Sequence, residues 1–186
     1  MAMYVVRNDF LTRSRRATAH RRLDAIDLKI LARLQADGRI TTVRLAEHVN
    51  LSPSACHERV TYLTARGFIK SFRAEVDLQR VVKYDQVMVE ITLGNHSYQS
   101  LERFEKRVTS LPEVVECIAV GGGIDYLLKF VVNSIASYQE ILEQLLQEDI
   151  GIRQYFTYVV TKVVKPMTAL PIEHLYARSR REAERA

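Results

Sequence analysis

Two short stretches of the chain carry residue types at spacings that could do chemistry. The first is Leu51-Ser52-Pro53-Ser54-Ala55-Cys56-His57-Glu58-Arg59, followed by Thr61 and Tyr62. Hydroxyl, imidazole and phenol groups spaced along a helix that opens on Ser-Pro can donate to phosphate oxygens and reach base edges in a groove. The second is Gly121-Gly122-Gly123 with Asp125 close behind. Glycines let a ligand approach backbone N–H groups, which suit a carboxylate, while a nearby acid suits an ammonium. Those are the two ends of an amino acid; the plainer reading of the same residues is a hairpin loop.

No other chemistry is legible. The sequence has no nucleophile elbow, no phosphate loop, no His-Glu-x-x-His and no dinucleotide fingerprint, so no catalytic residues and no enzyme are expected. Cys56 and Cys117 are the two cysteines, too few for a disulfide framework, and neither has a second ligand at metal-binding spacing. Cys56 reads as a small core residue. No metal and no cofactor are expected.

The elements that must position the first stretch follow from periodicity. Leu23, Ile26, Ile30, Leu31 and Leu34 recur at steps of three and four, which predicts a helix ending at Asp37-Gly38. Thr41 or Thr42 can cap a second helix through Val49, with Asn50 as its left-handed stop. Ser52 caps a third, with Pro53 at its first position, running to about Ala65 before Gly67. Phe72, Ala74 and Val76 then alternate with polar residues as in a strand. Helix, helix, short turn, helix, strand is the outline of a winged helix-turn-helix.

On the third helix, Cys56, Val60 and Leu63 share the face that must meet the other two. Ser54, Glu58, Thr61 and Ala65 lie opposite, with His57 and Tyr62 on the flanks. No outward arginine is poised for a bidentate guanine contact. Affinity is therefore expected mainly from phosphate contacts and DNA bending, with modest base preference from His57, Thr61 and Tyr62. The phosphate candidates are Ser52 and Ser54 around Pro53, together with Arg44, Arg59, Lys70 and Arg73. Two residues have a second assignment: Glu58 can accept from a cytosine amino group or pair with Arg39 or Arg66, and Arg59 can brace the acids of the first helix.

The second half reads strand, helix, strand, glycine loop, strand, helix and a long strand over residues 152–164. The order βαββαβ predicts a ferredoxin-like antiparallel sheet with both helices on one face, so the fold class is α+β. The other face carries apolar residues and needs a cover, for which a second subunit is the natural candidate.

Length and charge bound the rest. The 186 residues leave room for two small domains, 47% hydrophobic content fits a globular chain, and no stretch is long and apolar enough for a membrane span. Few apolar residues precede Arg7, too few for a signal peptide, so the cytoplasm is the expected location. The net charge of +5 is unevenly placed. Residues 1–22 hold six arginines against Asp9; residues 23–76 are net +2, 77–177 net −4, and 178–186 net +2. The excess over the first 22 residues alone equals that of the whole chain.

The residues Leu23-Asp24-Ala25-Ile26-Asp27-Leu28, Asp37-Gly38-Arg39-Ile40, Leu51-Ser52-Pro53-Ser54 and Gly67-Phe68-Ile69 resemble the DNA-binding domain of the Lrp/AsnC (feast/famine) regulators. Leu111-Pro112-Glu113-Val114 and Gly122-Gly123-Ile124-Asp125-Tyr126 are similar to that family's effector-sensing domain, and Thr157-Tyr158-Val159-Val160 resembles its last strand. The resemblance implies a transcriptional regulator binding double-stranded DNA, a small-molecule effector such as an amino acid, and homodimers assembling to an octamer. Under it, Gly122, Gly123 and Asp125 form the effector loop, with Ala119, Tyr126, Tyr158 and Val160 as wall or response residues; the two tyrosines can equally be interface packing. The expected organisation is a basic arm (1–22), a winged helix-turn-helix (23–76), a linker (77–86), a sensing and oligomerisation domain (87–165) and a C-terminal extension with a basic tail (166–186). The alternative is a ligand-sensing or assembly module that uses the helix-turn-helix for protein docking.

Overall fold

The computed structural model describes residues 23–166, 169–183 and 185. The expected basic arm, residues 1–22, lies outside the described residues. The rest falls into two compact units: one over residues 76–164, the other over 23–75 together with the described residues from 165 onward.

The unit that opens the chain is built from three capped helices. Helix α1 (Ala25–Ala36) starts at a reciprocal cap in which the Asp24 side chain accepts from the Asp27 N–H and Asp27 accepts from the Asp24 N–H. Helix α2 (Thr42–Val49) is capped by Thr41 and stopped by Asn50, whose φ of 55° is the left-handed turn expected of it. Helix α3 (Pro53–Ala65) follows Ser52, which accepts from Ala55 N–H, and Gly67 leaves it at φ 74°. Ile30, Leu31, Leu45, Ala46, Val49, Cys56 and Leu63 close the core.

Two expectations for this unit are revised. The strand proposed for Phe72–Val76 does not form, and Phe72 and Val76 stand exposed. A lone strand leaves its backbone groups unpaired, and among the described residues of this unit no second strand exists to pair with it. The helix-turn-helix therefore has no paired wing. The C-terminal segment, expected as a solvated tail, instead forms a helix over Ile172–Ala183 whose Ile172 packs against this same core.

In the second unit, β1 (Asp85–Leu93), β2 (Val114–Ala119), β3 (Tyr126–Val132) and β4 (Ile152–Val159) form one antiparallel sheet in the order β2-β3-β1-β4. Helices α4 (Tyr98–Thr109) and α5 (Ile135–Gln147) complete the βαββαβ order. Strand alternation decides what is buried: Val87, Val89, Ile91 and Leu93 of β1 and Tyr126, Leu128, Phe130 and Val132 of β3 share a core with Phe104, Val108, Tyr138, Leu142 and Leu145 of the helices. Strand β4 stops at Val159 rather than Val164. Its last bond to β1 runs from Val160 N–H to the Gln86 carbonyl, and the chain before Asp85 turns away through a short helical turn at Leu78–Arg80, leaving residues 161–164 no neighbour to pair with. Opposite the helices, Met88, Leu127, Ile118, Phe156 and Tyr158 fall on the open face by register.

Candidate nucleic-acid interface and effector loop

Helix α3 presents an outward face of small polar groups. Ser52, Pro53, Ser54, His57, Glu58 and Thr61 are exposed, while Cys56 and Leu63 are buried. Ser52 and Ser54 share a hydroxyl contact of 3.1 Å at the helix start, where the free amides of the first turn favour an anion. Arg44, Lys70 and Arg73 are exposed on the flanking segments. Glu58 makes no ion pair with Arg39 or Arg66 among the described residues. Burial pushes the Cys56 thiol up, as befits a core residue rather than a nucleophile.

Arg59 does not belong to the outward set. Its guanidinium Nη1 donates to Asp24 Oδ2 at 2.6 Å and to Asp27 Oδ1 at 2.7 Å, and Asp27 is fully buried. The cation is spent inside the unit, tying the centre of α3 to the first turn of α1. Burial alone would raise the Asp24 carboxyl, but the Asp27 amide and Arg59 outweigh it and hold it below the usual range. Tyr62 is also drawn inward: it is half-buried against the core, with the Arg66 guanidinium 5.6 Å from its ring centre.

In the second unit, the loop after β2 exposes Gly121, Gly122 and Gly123, and a Cβ added at any of them would meet nothing within 4 Å. Only Gly122, at φ 144°, needs the freedom of glycine. Asp125 closes the loop. Its N–H donates to the Ile91 carbonyl and its own carbonyl accepts from Val120 N–H, both at 2.9 Å. Its Oδ2 accepts from Leu93 N–H at 2.7 Å, and its Oδ1 meets His96 Nε2 at 2.8 Å. The acid is thus engaged on both oxygens, one by a backbone amide and one by an exposed imidazole.

The remaining effector candidates separate. Ala119 is exposed beside the loop and pairs with Tyr126 in register. Tyr126 itself points into the core, its ring centre 4.7 Å from that of Phe104 and its hydroxyl donating to Glu105 at 2.7 Å. Burial, then Glu105, push this phenol above its ordinary value. Tyr126 is therefore a core residue and not a wall of the loop. Tyr158 is exposed, donating to Glu90 at 3.2 Å, and sits opposite Met88. Val160 lies by Gln86, at the end of β1 away from Leu93 and Asp125, roughly 20 Å along the strand. One protomer does not bring Tyr158 and Val160 to the loop. His96 was missed from sequence, although Asn95-His96-Ser97 directly follows the strand that Asp125 pins.

Among the described residues no cluster of three or more His, Cys, Asp or Glu could hold a metal ion. No helix there is long and apolar enough to cross a membrane.

Comparison with known proteins agrees with this division. The AsnC-type helix-turn-helix domain model matches residues 23–64, and the Lrp/AsnC ligand binding domain model matches residues 86–170. The transcriptional regulatory protein DoeX of Halomonas elongata is 48% identical over 155 residues, covering 83% of this chain and 98% of that protein. The leucine-responsive regulatory protein of Escherichia coli is 40% identical over 151 residues, covering 81% and 92%. Among solved structures, a transcriptional regulator of Neisseria meningitidis in complex with L-Met superposes with a TM-score of 0.77 at 32% identity, covering 83% of this chain and 99% of that one. An AsnC family regulator from Agrobacterium tumefaciens gives 0.76 at 33% identity, with 82% and 99% covered.

Proposed function

This chain belongs to the Lrp/AsnC family of transcriptional regulators, and from that premise we propose that it reads double-stranded DNA with the outward face of α3 and responds to an amino acid held at the loop 121–125. As a member of that family it is a DNA-binding regulator and not an enzyme. The observation that carries the DNA-contact assignment is the exposure of Ser52, Ser54, His57, Glu58 and Thr61 on one helix, flanked by Arg44, Lys70 and Arg73, while Arg59 is consumed internally. Phosphate contacts then supply most of the affinity and the helix face a modest preference among bases.

The effector assignment is supported by the open glycine loop beside Asp125 and by a structural relative solved with L-Met. A bound ammonium would take the place of His96 on Asp125 Oδ1, while loop amides receive the carboxylate. The apolar open face of the sheet, with Met88, Phe156 and Tyr158, supports a homodimer built sheet to sheet, and octamers built from such dimers; ligand would act by favouring one association state and hence one spacing of half-sites. We place this activity in the cytoplasm, where the DNA is.

Gel retardation on the region upstream of the protein's own gene, repeated across salt concentrations, tests the first part. A shift with a steep salt slope supports it; absence of any shift would favour a helix-turn-helix used for protein docking. Calorimetry across the amino acids tests the second, beginning with methionine and leucine. Heat from none of them, or binding untouched in Asp125→Ala, would end the effector assignment.

A further inference from the structure

The C-terminal helix, α6 (Ile172–Ala183), lies beyond the matched family domains, which end at residue 170, yet it is built into the DNA-binding unit. Ile172 packs against the three-helix core. The Tyr176 hydroxyl donates to the Leu23 carbonyl at 2.9 Å, and Gln35 of α1 bonds the Leu170 backbone twice, accepting from its N–H at 3.0 Å and donating to its carbonyl at 3.3 Å. Leu23 and Asp24 begin α1, and Asp24 is also where Arg59 of α3 is held. The recognition helix and the C-terminal helix thus share one anchor.

Ile172 and Tyr176 are one turn apart and mark the docked side of α6. Helical geometry then puts His174, Arg178 and Arg181 on the opposite side, and all three are exposed. Glu173 and Glu182 lie at the margins. Arg178 pairs with Glu182 at 3.1 Å, with about two thirds of each side chain exposed (68% and 66%), a surface pair that a phosphate can replace at little cost. The charge distribution points the same way. Residues 1–22, net +5, join the fold at Leu23, where Tyr176 docks, and residues 178–186 are net +2. Both segments with a strong excess of positive charge are therefore rooted at the start of α1.

We propose that α6 is an accessory DNA-contacting element whose outward arginines, with the arginine-rich segment before Leu23, engage backbone phosphates outside the stretch met by α3. The inference rests on the DNA-binding reading above. The partner is the phosphate chain of a duplex, and such contacts add affinity and position without reading sequence.

The test is fluorescence anisotropy of the full chain with two labelled duplexes, one from upstream of its own gene and one of random sequence, over a range of salt. Arg178→Gln combined with Arg181→Gln should lower the slope of log K against log salt by about 2 and weaken both duplexes by a similar factor, about tenfold at low salt. Lys106→Gln on α4, in the sensing unit, should leave the slope at the wild-type value. An unchanged slope in the double variant, with wild-type protein binding normally, overturns the proposal alone. Wild-type protein that binds neither duplex overturns the DNA-binding reading on which it stands.

Discussion

Each of the two units contains one carboxylate clamp, and the two are made differently. In the DNA-binding unit, Asp24 and Asp27 grip Arg59 across 35 and 32 residues of sequence, and Asp27 is sealed from solvent. In the sensing unit, Asp125 grips the Leu93 amide and His96, and the His96 side chain is 61% exposed. A sealed ion pair fixes one geometry, because losing either member leaves a buried charge unpaired. A clamp with one arm in water can trade that arm for another cation of similar shape. The first arrangement suits a helix that must be held at a constant angle to DNA; the second suits a loop that must register a ligand.

The largest effect should come from the sealed clamp. Asp27→Ala should destabilise the DNA-binding unit by about 3 kcal/mol in urea denaturation, leaving Arg59 half-buried with Asp24 alone. Loss of less than 1 kcal/mol would mean that both clamps are equally replaceable. Next, Phe156→Asp on the open sheet should weaken dimerisation at least a hundredfold by sedimentation equilibrium while both units stay folded; unchanged association would move the interface elsewhere. In the solvent-facing clamp, Asp125→Asn should cost about 1 to 2 kcal/mol and His96→Ala less than half of that, read as separate thermal melts. Equal losses would show that the imidazole is as structural as the amide. The smallest effect is the acid response of Asp24. Its carboxyl is held below the ordinary value near 3.8, so the stability it contributes is complete above that pH and is lost as pH falls below it. Asp24→Asn should flatten that part of the acid melting profile, and an unaltered profile would assign the transition to other acids.

Local rules carried much of this structure in the sequence. Asn50, Ser52-Pro53 and Gly67 mark helix ends because each meets a need of its own few neighbours, and the alternation from Val87 to Leu93 names the buried face of β1 without knowledge of its partners. The same alternation places Tyr126 in phase with Leu128 and Phe130, and so in the core; its position beside the glycine loop pointed the other way, and packing prevailed. The fate of Arg59 was undecidable locally, since its partners lie more than 30 residues away. Phe72 to Val76 has the period of a strand but no neighbour to pair with. Helix α6 escaped notice because the run of arginines near its end reads as solvated, while the two residues that dock it, Ile172 and Tyr176, are too few to establish a period.

The return of the chain at residue 165 to the unit it left at 76 has a consequence for biosynthesis. A ribosome makes α1, α2 and α3 first, yet Ile172 and Tyr176, which complete their packing, are made last, after the whole sheet. The reading head therefore cannot be finished on a nascent chain before the sensor has been synthesised, so a message truncated within the sensor yields a headpiece without its final helix.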